Sequence, residues 1–464
     1  MQPVELVWPP HPYRAGFCIT DDADSSELAT VRIVYDFLSA LSFRTTRTVW
    51  AFRPSEPCGL PGLPDSIQRG VTLEDPDYLG YCRELDTRGF EIALHGASAG
   101  NNRRERIARA FELMGRNFAP AGTYICHAKN ADNPYWQEKV VARGPLRTLL
   151  APYAGRHRCS GEDPASPYFW GDLCREHVRY IRLFRTVRVN TLAANPSLPY
   201  FEREKPFVRG WFTATKRSFR DCTAAAALDA LERDFGLCVL YQYLCRYADP
   251  VSGTVKPAFR EGAERLRARR AIWVDTTSRI LDRLRLVQGV LVAARGRELW
   301  LVNANREEIG DLQLLTRAEL ASPVPPGVRA GEGVVRVDCL RPGELLRIPW
   351  AGPIAAHGRS SLGLDARLTG RLELGHGTAF VNAGAEPWRA TAALTVPPHS
   401  HALEFAPGLA ELRPLSRAGD AELSALFLGQ ATIILRELLF KGRALDSNRW
   451  LGREAIALED HDRW

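Results

Sequence analysis

Three acids, Asp21, Asp22 and Asp24, stand within four residues directly after the apolar run GFCIT. Carboxylates this close repel one another, and a divalent cation is the simplest way to neutralise them. One carboxylate would then serve as a ligand, and its neighbour would be free to take a proton from water. The same stretch also suits a helix start, with Asp24 or Ser25 as the N-cap of the segment that follows. Capping accounts for a single acid more comfortably than for the Asp21–Asp22 pair.

Two histidines share that setting. In FEIALHGASAGNN an apolar strand delivers His95 to its end, followed by a loop of Gly, Ser and Asn. In GTYICHAKNADNPYW a second strand ends at His127, followed by Lys129, Asn130, Asp132 and Asn133. A neutral imidazole at a strand end is a competent ligand for a transition metal or a proton carrier. His95 is expected to bind a metal, and His127 to be the third ligand or a proton donor. Ser98, Lys129 and Asn130 are the expected substrate contacts, whereas Asn101 and Asn102 suit the cap of the next helix. Tyr135 and Trp136 offer flat apolar faces on which a sugar ring can stack, or they fill core.

Positioning these groups requires strands whose carboxyl ends converge, as in a β/α barrel. Up to about residue 287 the chain alternates short apolar runs with amphipathic stretches. Strands are expected at Ala15–Thr20, Arg47–Phe52, Phe90–Leu94, Thr123–His127, Thr148–Pro152, Val187–Leu192 and Leu237–Tyr243. Helices are expected at Glu27–Ala40, Asp75–Arg88, Arg103–Gly115, Tyr135–Ala142, Thr223–Phe235, Pro257–Arg270 and Thr277–Arg285. In the first helix Leu28, Val31, Val34, Tyr35 and Leu38 recur at helical spacing and define an inward face.

From 288 to 415 the texture changes to short strands broken by Gly and Pro, the spacing of an antiparallel β-sandwich. Residues 416–464 return to an amphipathic helical pattern, expected to dock on the body or to form a homodimer contact. The fold class is therefore α/β: a distorted β/α barrel, a β-sandwich domain and C-terminal helices, too much chain at 464 residues for one core.

The formal charge of +7 is spread as Arg among Asp and Glu, with no basic stripe beside aromatics, which argues against a nucleic-acid partner. Anionic small molecules remain compatible with it. The 10 cysteines include no C-x-x-C pair, so a reducing compartment is expected. The first residues lack the pattern of a secretory signal, and no run reaches the length of a membrane span, so the expected location is cytoplasmic.

At CITDDAD and EIALHGASAGNN the chain resembles the polysaccharide deacetylases with NodB homology, carbohydrate esterase family 4. The resemblance spans roughly residues 10–285. It implies a distorted β/α barrel with Asp21 as catalytic base, Asp22 and His95 as metal ligands, and a divalent metal, commonly zinc. The family places a second His four residues after the first, but this chain has Ala99 there; His127 is the substitute on a neighbouring strand. Where the family carries a late Leu-x-His motif, this chain has Gln242 or Tyr243. The resemblance implies hydrolysis of an N-acyl or related C–N bond on a sugar, as in a cytoplasmic precursor of a surface polysaccharide such as lipopolysaccharide. The alternative is a catalytically inactive relative that binds or assembles glycans.

Overall fold

The computed structural model describes residues 1–58, 70–127, 130–135, 159–195, 198–199, 205–303, 305, 307–342, 344–357, 370–374, 377–382, 386–397, 400–405 and 409–414. It divides into two units, one of Ala15–Pro199 with Glu204–Ile280, the other of Met1–Arg14 with Leu281–Gly419.

The first strand, β1 (Gln2–Val7), belongs to the second of these units. The other unit begins with β2 (Ala15–Asp21), α1 (Leu28–Ala40), β3 (Thr46–Val49), α2 (Pro76–Thr87), β4 (Glu91–Leu94), α3 (Arg104–Asn117) and β5 (Thr123–Ile125). It continues with β6 (Tyr180–Thr186), β7 (Trp211–Thr215) and β8 (Leu237–Gln242). Strands β2 to β8 pair in chain order, and β8 returns to β2, with Gly16 opposite Leu237 through to Asp21 opposite Gln242. Every pairing in this ring is parallel, so seven strands close a barrel. Closure removes the sheet edges and sends all carboxyl ends to one rim. The short strand Ile272–Val274 adds to the start of β2, the half that β3 leaves unpaired.

Strand β2 is buried throughout, as a parallel strand covered on both faces must be, and its composition is accordingly apolar rather than alternating. Helix α1 buries Val31, Val34, Tyr35 and Leu38, four of the positions expected from helical spacing. Helix α2 buries Tyr78, Tyr81, Cys82 and Leu85 and begins at Asp75, whose carboxylate accepts from the amides of Asp77 and Tyr78 at 3.0 and 3.1 Å. The N-cap of α1 is Glu27, which leaves Asp24 free of that duty.

One expected strand is displaced. Val187–Leu192 alternates like a strand, but the chain is extended over Tyr180–Thr186, and Asn190 caps a short helix, Thr191–Ala194, by accepting from the Ala193 amide. The local preference of Asn for capping outweighs the alternation there. Strand β7, WFTAT, was not expected; all five residues are buried, too short a run to declare itself by period. The expected strand Thr148–Pro152 lies outside the described residues, as do Trp136–Ala142 and the helical pattern from Ser416.

In the second unit β1 joins a five-stranded sheet, between Ile309–Thr316 and Ile354–His357, which Val334–Leu340 and Val328–Gly331 extend. A three-stranded sheet is built from Val290–Arg295, Glu298–Asn303 and Leu345–Pro349. A four-stranded sheet follows from Gly370–Leu374, Gly377–Asn382, Ser400–Phe405 and Leu409–Pro414. Arg283, on the helix Thr277–Gln288, is held by the carbonyls of Trp8, Gly310 and Asp311 at 2.6 to 3.1 Å. No described helix is long and apolar enough to cross a membrane.

Candidate metal centre

Strand alternation separates the two neighbouring acids at the end of β2, because successive side chains leave opposite faces of a sheet. Asp21 turns toward the helical layer. Its Oδ2 accepts from Arg47 of β3 and, at 2.9 Å, from the hydroxyl of Tyr35 on α1; its Oδ1 accepts from the Leu244 amide at 2.7 Å. Arg47 in turn donates from Nε and Nη2 to Tyr78 of α2, at 3.1 Å each. Both oxygens of Asp21 are thus committed, away from the histidines. Burial pushes the Asp21 carboxyl up, and the Arg47 charge and the Leu244 amide work against that rise.

Asp22 turns the other way. Its Oδ1 lies 3.2 Å from His95 Nε2 and accepts from the Asp24 amide at 2.9 Å; its Oδ2 accepts from the hydroxyl of Tyr241 on β8. The short D-A-D turn brings Asp24 back to the same cluster, with Oδ1 at 3.7 Å from His95 Nε2 and 3.5 Å from His127 Nε2. Asp24, His95 and His127 each offer a ligand atom, all within 4.8 Å of one another. Ligands bound at about 2.1 Å in a tetrahedral site are separated by roughly 3.4 Å, close to the two distances from Asp24 to the histidines. His95 Nε2 and Asp24 Oδ1 are both buried without a hydrogen-bond partner among the described residues. Buried polar atoms left in that state are costly, and a cation between them would satisfy both.

Each imidazole is aimed by a partner on its other nitrogen. His95 Nδ1 faces the Ile125 carbonyl at 3.2 Å and His127 Nδ1 faces Asn130 Oδ1 at 3.0 Å. Nδ1–H donated to those oxygens directs both Nε2 atoms at the acids, where each can act as a ligand once its proton has left. Trp50 stacks on His95 with ring centres 6.2 Å apart and meets His127 edge-on at 5.7 Å, which fixes both ring planes.

The electrostatics express the crowding. Burial disfavours charge on His95, but the Asp22 and Asp24 carboxylates override it and raise the imidazole to about 9. Burial and the neighbouring Asp22 charge push Asp24 up to about 7. Burial opposes ionisation of Asp22 too, yet His95, the Tyr241 hydroxyl and the Asp24 amide hold it well below the usual carboxylate range.

The structure brings together Asp22, His95 and His127 from the expected set and adds Asp24 and Tyr241. Asp24 was legible as the third acid of the run, but its spacing also fitted a cap. Asp21, expected as the base, stands in the separate Arg47 cluster. Ser98 and Asn130, expected to meet substrate, are turned into the loop. Ser98 Oγ donates to Asn102 Oδ1 at 2.7 Å, and Asn130 Nδ2 donates to the carbonyls of Ser98 and Gly100 at 3.1 and 2.6 Å. Asn102 caps nothing: its amide N–H donates to Asp132 at 2.8 Å and its side chain to the Gly100 carbonyl. Gly96, at φ +69°, lets the chain reverse straight after His95, and a Cβ on Gly100 would stand 1.9 Å from the Glu56 carbonyl. Lys129 lies outside the described residues. Ala99, where the family has its second His, packs fully buried with Ala23 and Trp50, so that position holds the tryptophan. Gln242 is engaged by Arg217 and Tyr247, while the Tyr243 hydroxyl lies 3.2 Å from the Tyr241 hydroxyl, whose one proton is directed at Asp22.

Fold and site together define a seven-stranded parallel β/α barrel with a candidate metal centre at the carboxyl ends of its strands, the architecture that the resemblance to polysaccharide deacetylases implied. Among solved structures the chain is similar to one described as a polysaccharide deacetylase from Mycobacterium smegmatis, at 12% identity and a TM-score of 0.36, covering 61% of this chain and 94% of that one. It is similar also to Puue allantoinase, at 12% identity and a TM-score of 0.33, covering 59% of this chain and 93% of that one. No family model and no curated protein matches the chain.

Proposed function

We propose that this chain is a metal-dependent hydrolase that cleaves an N-acyl or related C–N bond, with an N-acylated sugar of a glycan precursor as the substrate class. The observation that carries this reading is the meeting of Asp24, His95 and His127, with His95 Nε2 and Asp24 Oδ1 buried and without a hydrogen bond among the described residues. Deacetylase and allantoinase, the names of the similar structures, are both activities on C–N bonds, in keeping with the proposal.

Asp24, His95 and His127 would hold the ion, and zinc suits a set of two imidazoles and a carboxylate, which leaves a fourth position for water or substrate. When bound, such an ion polarises an acyl oxygen and makes water more acidic. Asp22, kept ionised beside this cluster, is the group that takes the proton from the attacking water, the role the resemblance gave to Asp21. Tyr241 fixes the Asp22 carboxylate. Burial and the Asp22 charge push its hydroxyl up, so it stays protonated and is the donor nearest to hand for the leaving amine. Asp21 contributes by pinning the end of β2 through Arg47, Tyr35 and Leu244.

The test is elemental analysis of the purified protein together with release of free amine from N-acetylated sugars. Near-stoichiometric metal and turnover in the wild type, both lost in Asp24→Ala and His95→Ala, are expected. Full metal occupancy in both folded variants would overturn the site. Metal-dependent binding with no amine release from any N-acyl compound would overturn the reaction.

A further inference from the structure

Arg182, on β6, is only 3% exposed, yet its Nε and Nη1 have no hydrogen-bond partner among the described residues. An uncompensated guanidinium in a barrel interior costs several kcal/mol unless something pairs with it. The other buried arginines among the described residues obey that rule. Arg47 has Asp21 and Tyr78, and Arg283 has three backbone carbonyls.

Placement gives the exception its meaning. The Arg182 guanidinium carbon lies 3.7 Å from the ring centre of Tyr241, whose hydroxyl binds Asp22. Arg182 is therefore one aromatic ring away from the candidate metal centre. It also sits close enough to Cys126, the residue before His127, for its charge to oppose the rise that burial imposes on that thiol. A guanidinium stacked on a ring spends its face and keeps its N–H edge, the edge that matches a planar oxyanion in two-pronged fashion. Neither Asp22 nor Asp24 forms an ion pair with it: Asp22 is held by Tyr241 and His95, and Asp24 faces His95 and His127.

From this geometry we infer that Arg182 binds a carboxylate of the substrate, adjacent to the bond cleaved at the metal centre. The inference rests on the proposed function for the location of the scissile bond, and it narrows the substrate class to N-acyl compounds that bear an acid group. Tyr241 would serve both halves of the site, with its ring under the guanidinium and its hydroxyl on Asp22.

Calorimetric titration of the full chain with N-acetylglycine and with N-acetylglycinamide, in the presence of zinc, tests it, since these probes differ only in the charged carboxylate. The wild type should prefer N-acetylglycine by roughly tenfold or more, as a charge-assisted pair implies. Arg182→Met should abolish the preference and leave the metal content unchanged. Arg182→Lys, which keeps the charge without the fork, should retain a reduced preference and guards against misfolding of the first variant. Equal or undetectable binding of the two probes by the wild type, or a preference that survives in Arg182→Met, overturns the assignment. So does inorganic phosphate competing better than acetate, which would make the ligand a phosphoryl group. Because affinity is read rather than turnover, failure to hydrolyse any amide sinks the proposed reaction while leaving this result to stand or fall separately.

Discussion

Asp21 and Asp22 are neighbours in sequence and occupy opposite kinds of polar cluster. On the helical side of β2, Asp21 meets Arg47, Tyr35 and the Leu244 amide, Arg47 is held in turn by Tyr78, and each carboxylate oxygen has its donor. On the other side, Asp22 and Asp24 face two imidazoles, and two buried ligand atoms have no hydrogen bond among the described residues. The first cluster is complete as it stands and can only contribute stability and position. The second is incomplete within the protein, and a site that must accept something from solution has to be incomplete in this way. Burial alone does not separate the two, since both acids are fully enclosed.

The sharpest way to break this comparison is to remove a ligand from the open cluster. Asp24→Ala should lose metal and reduce amine release to background, with the fold retained by circular dichroism; an active, metal-loaded variant would place the chemistry elsewhere. Next in size is Arg47→Met in the closed cluster, which strands a buried carboxylate and should cost about 3–5 kcal/mol in chemical denaturation. The double variant Arg47→Met with Asp21→Leu should recover much of that loss, and metal content should hold in both.

Smaller effects sharpen the open cluster. Asn130→Ala removes the oxygen that orients His127 and should weaken metal binding by about 10–100-fold in a chelator competition. The pH dependence of that affinity has a definite sign. Free of metal, His95 holds its proton until about pH 9 and Asp24 until about pH 7, and both protons must leave for these atoms to act as ligands. Affinity should therefore fall as pH drops below 9, by about tenfold per unit for one proton, and more steeply below 7 where a second is released. A flat profile between pH 6 and 9 would show that neither group gives up a proton in that range when metal binds.

Much of the barrel was readable because its helices carry a strong period. The face of Val31, Val34, Tyr35 and Leu38 and the cap at Asp75 both stand where local preference puts them. Short strands were read less well. WFTAT has no period to distinguish it, and VRVNTL has a strand-like alternation that Asn190 defeats by capping a turn of helix. At the site, His95 and His127 announced themselves as histidines ending apolar runs. Asp24 did not, because an acid before a helix has a commoner use. Tyr241 and Arg182 carried no signal at all, since an aromatic or an Arg inside a strand is ordinary until its neighbours are known.

The amino-acid order by itself determined which residue types arrive at strand ends, and so the chemistry available there: carboxylates and imidazoles after apolar runs. Closure of the sheet decided which of them meet. Pairing β8 back onto β2 set Tyr241 beside Asp22, and β3 beside β2 set Arg47 against Asp21. Partners more than two hundred residues apart leave no local trace, because distance along the chain carries no information about neighbours around a barrel. Only the register of the closed ring assigns one aspartate to the scaffold and the next to the site.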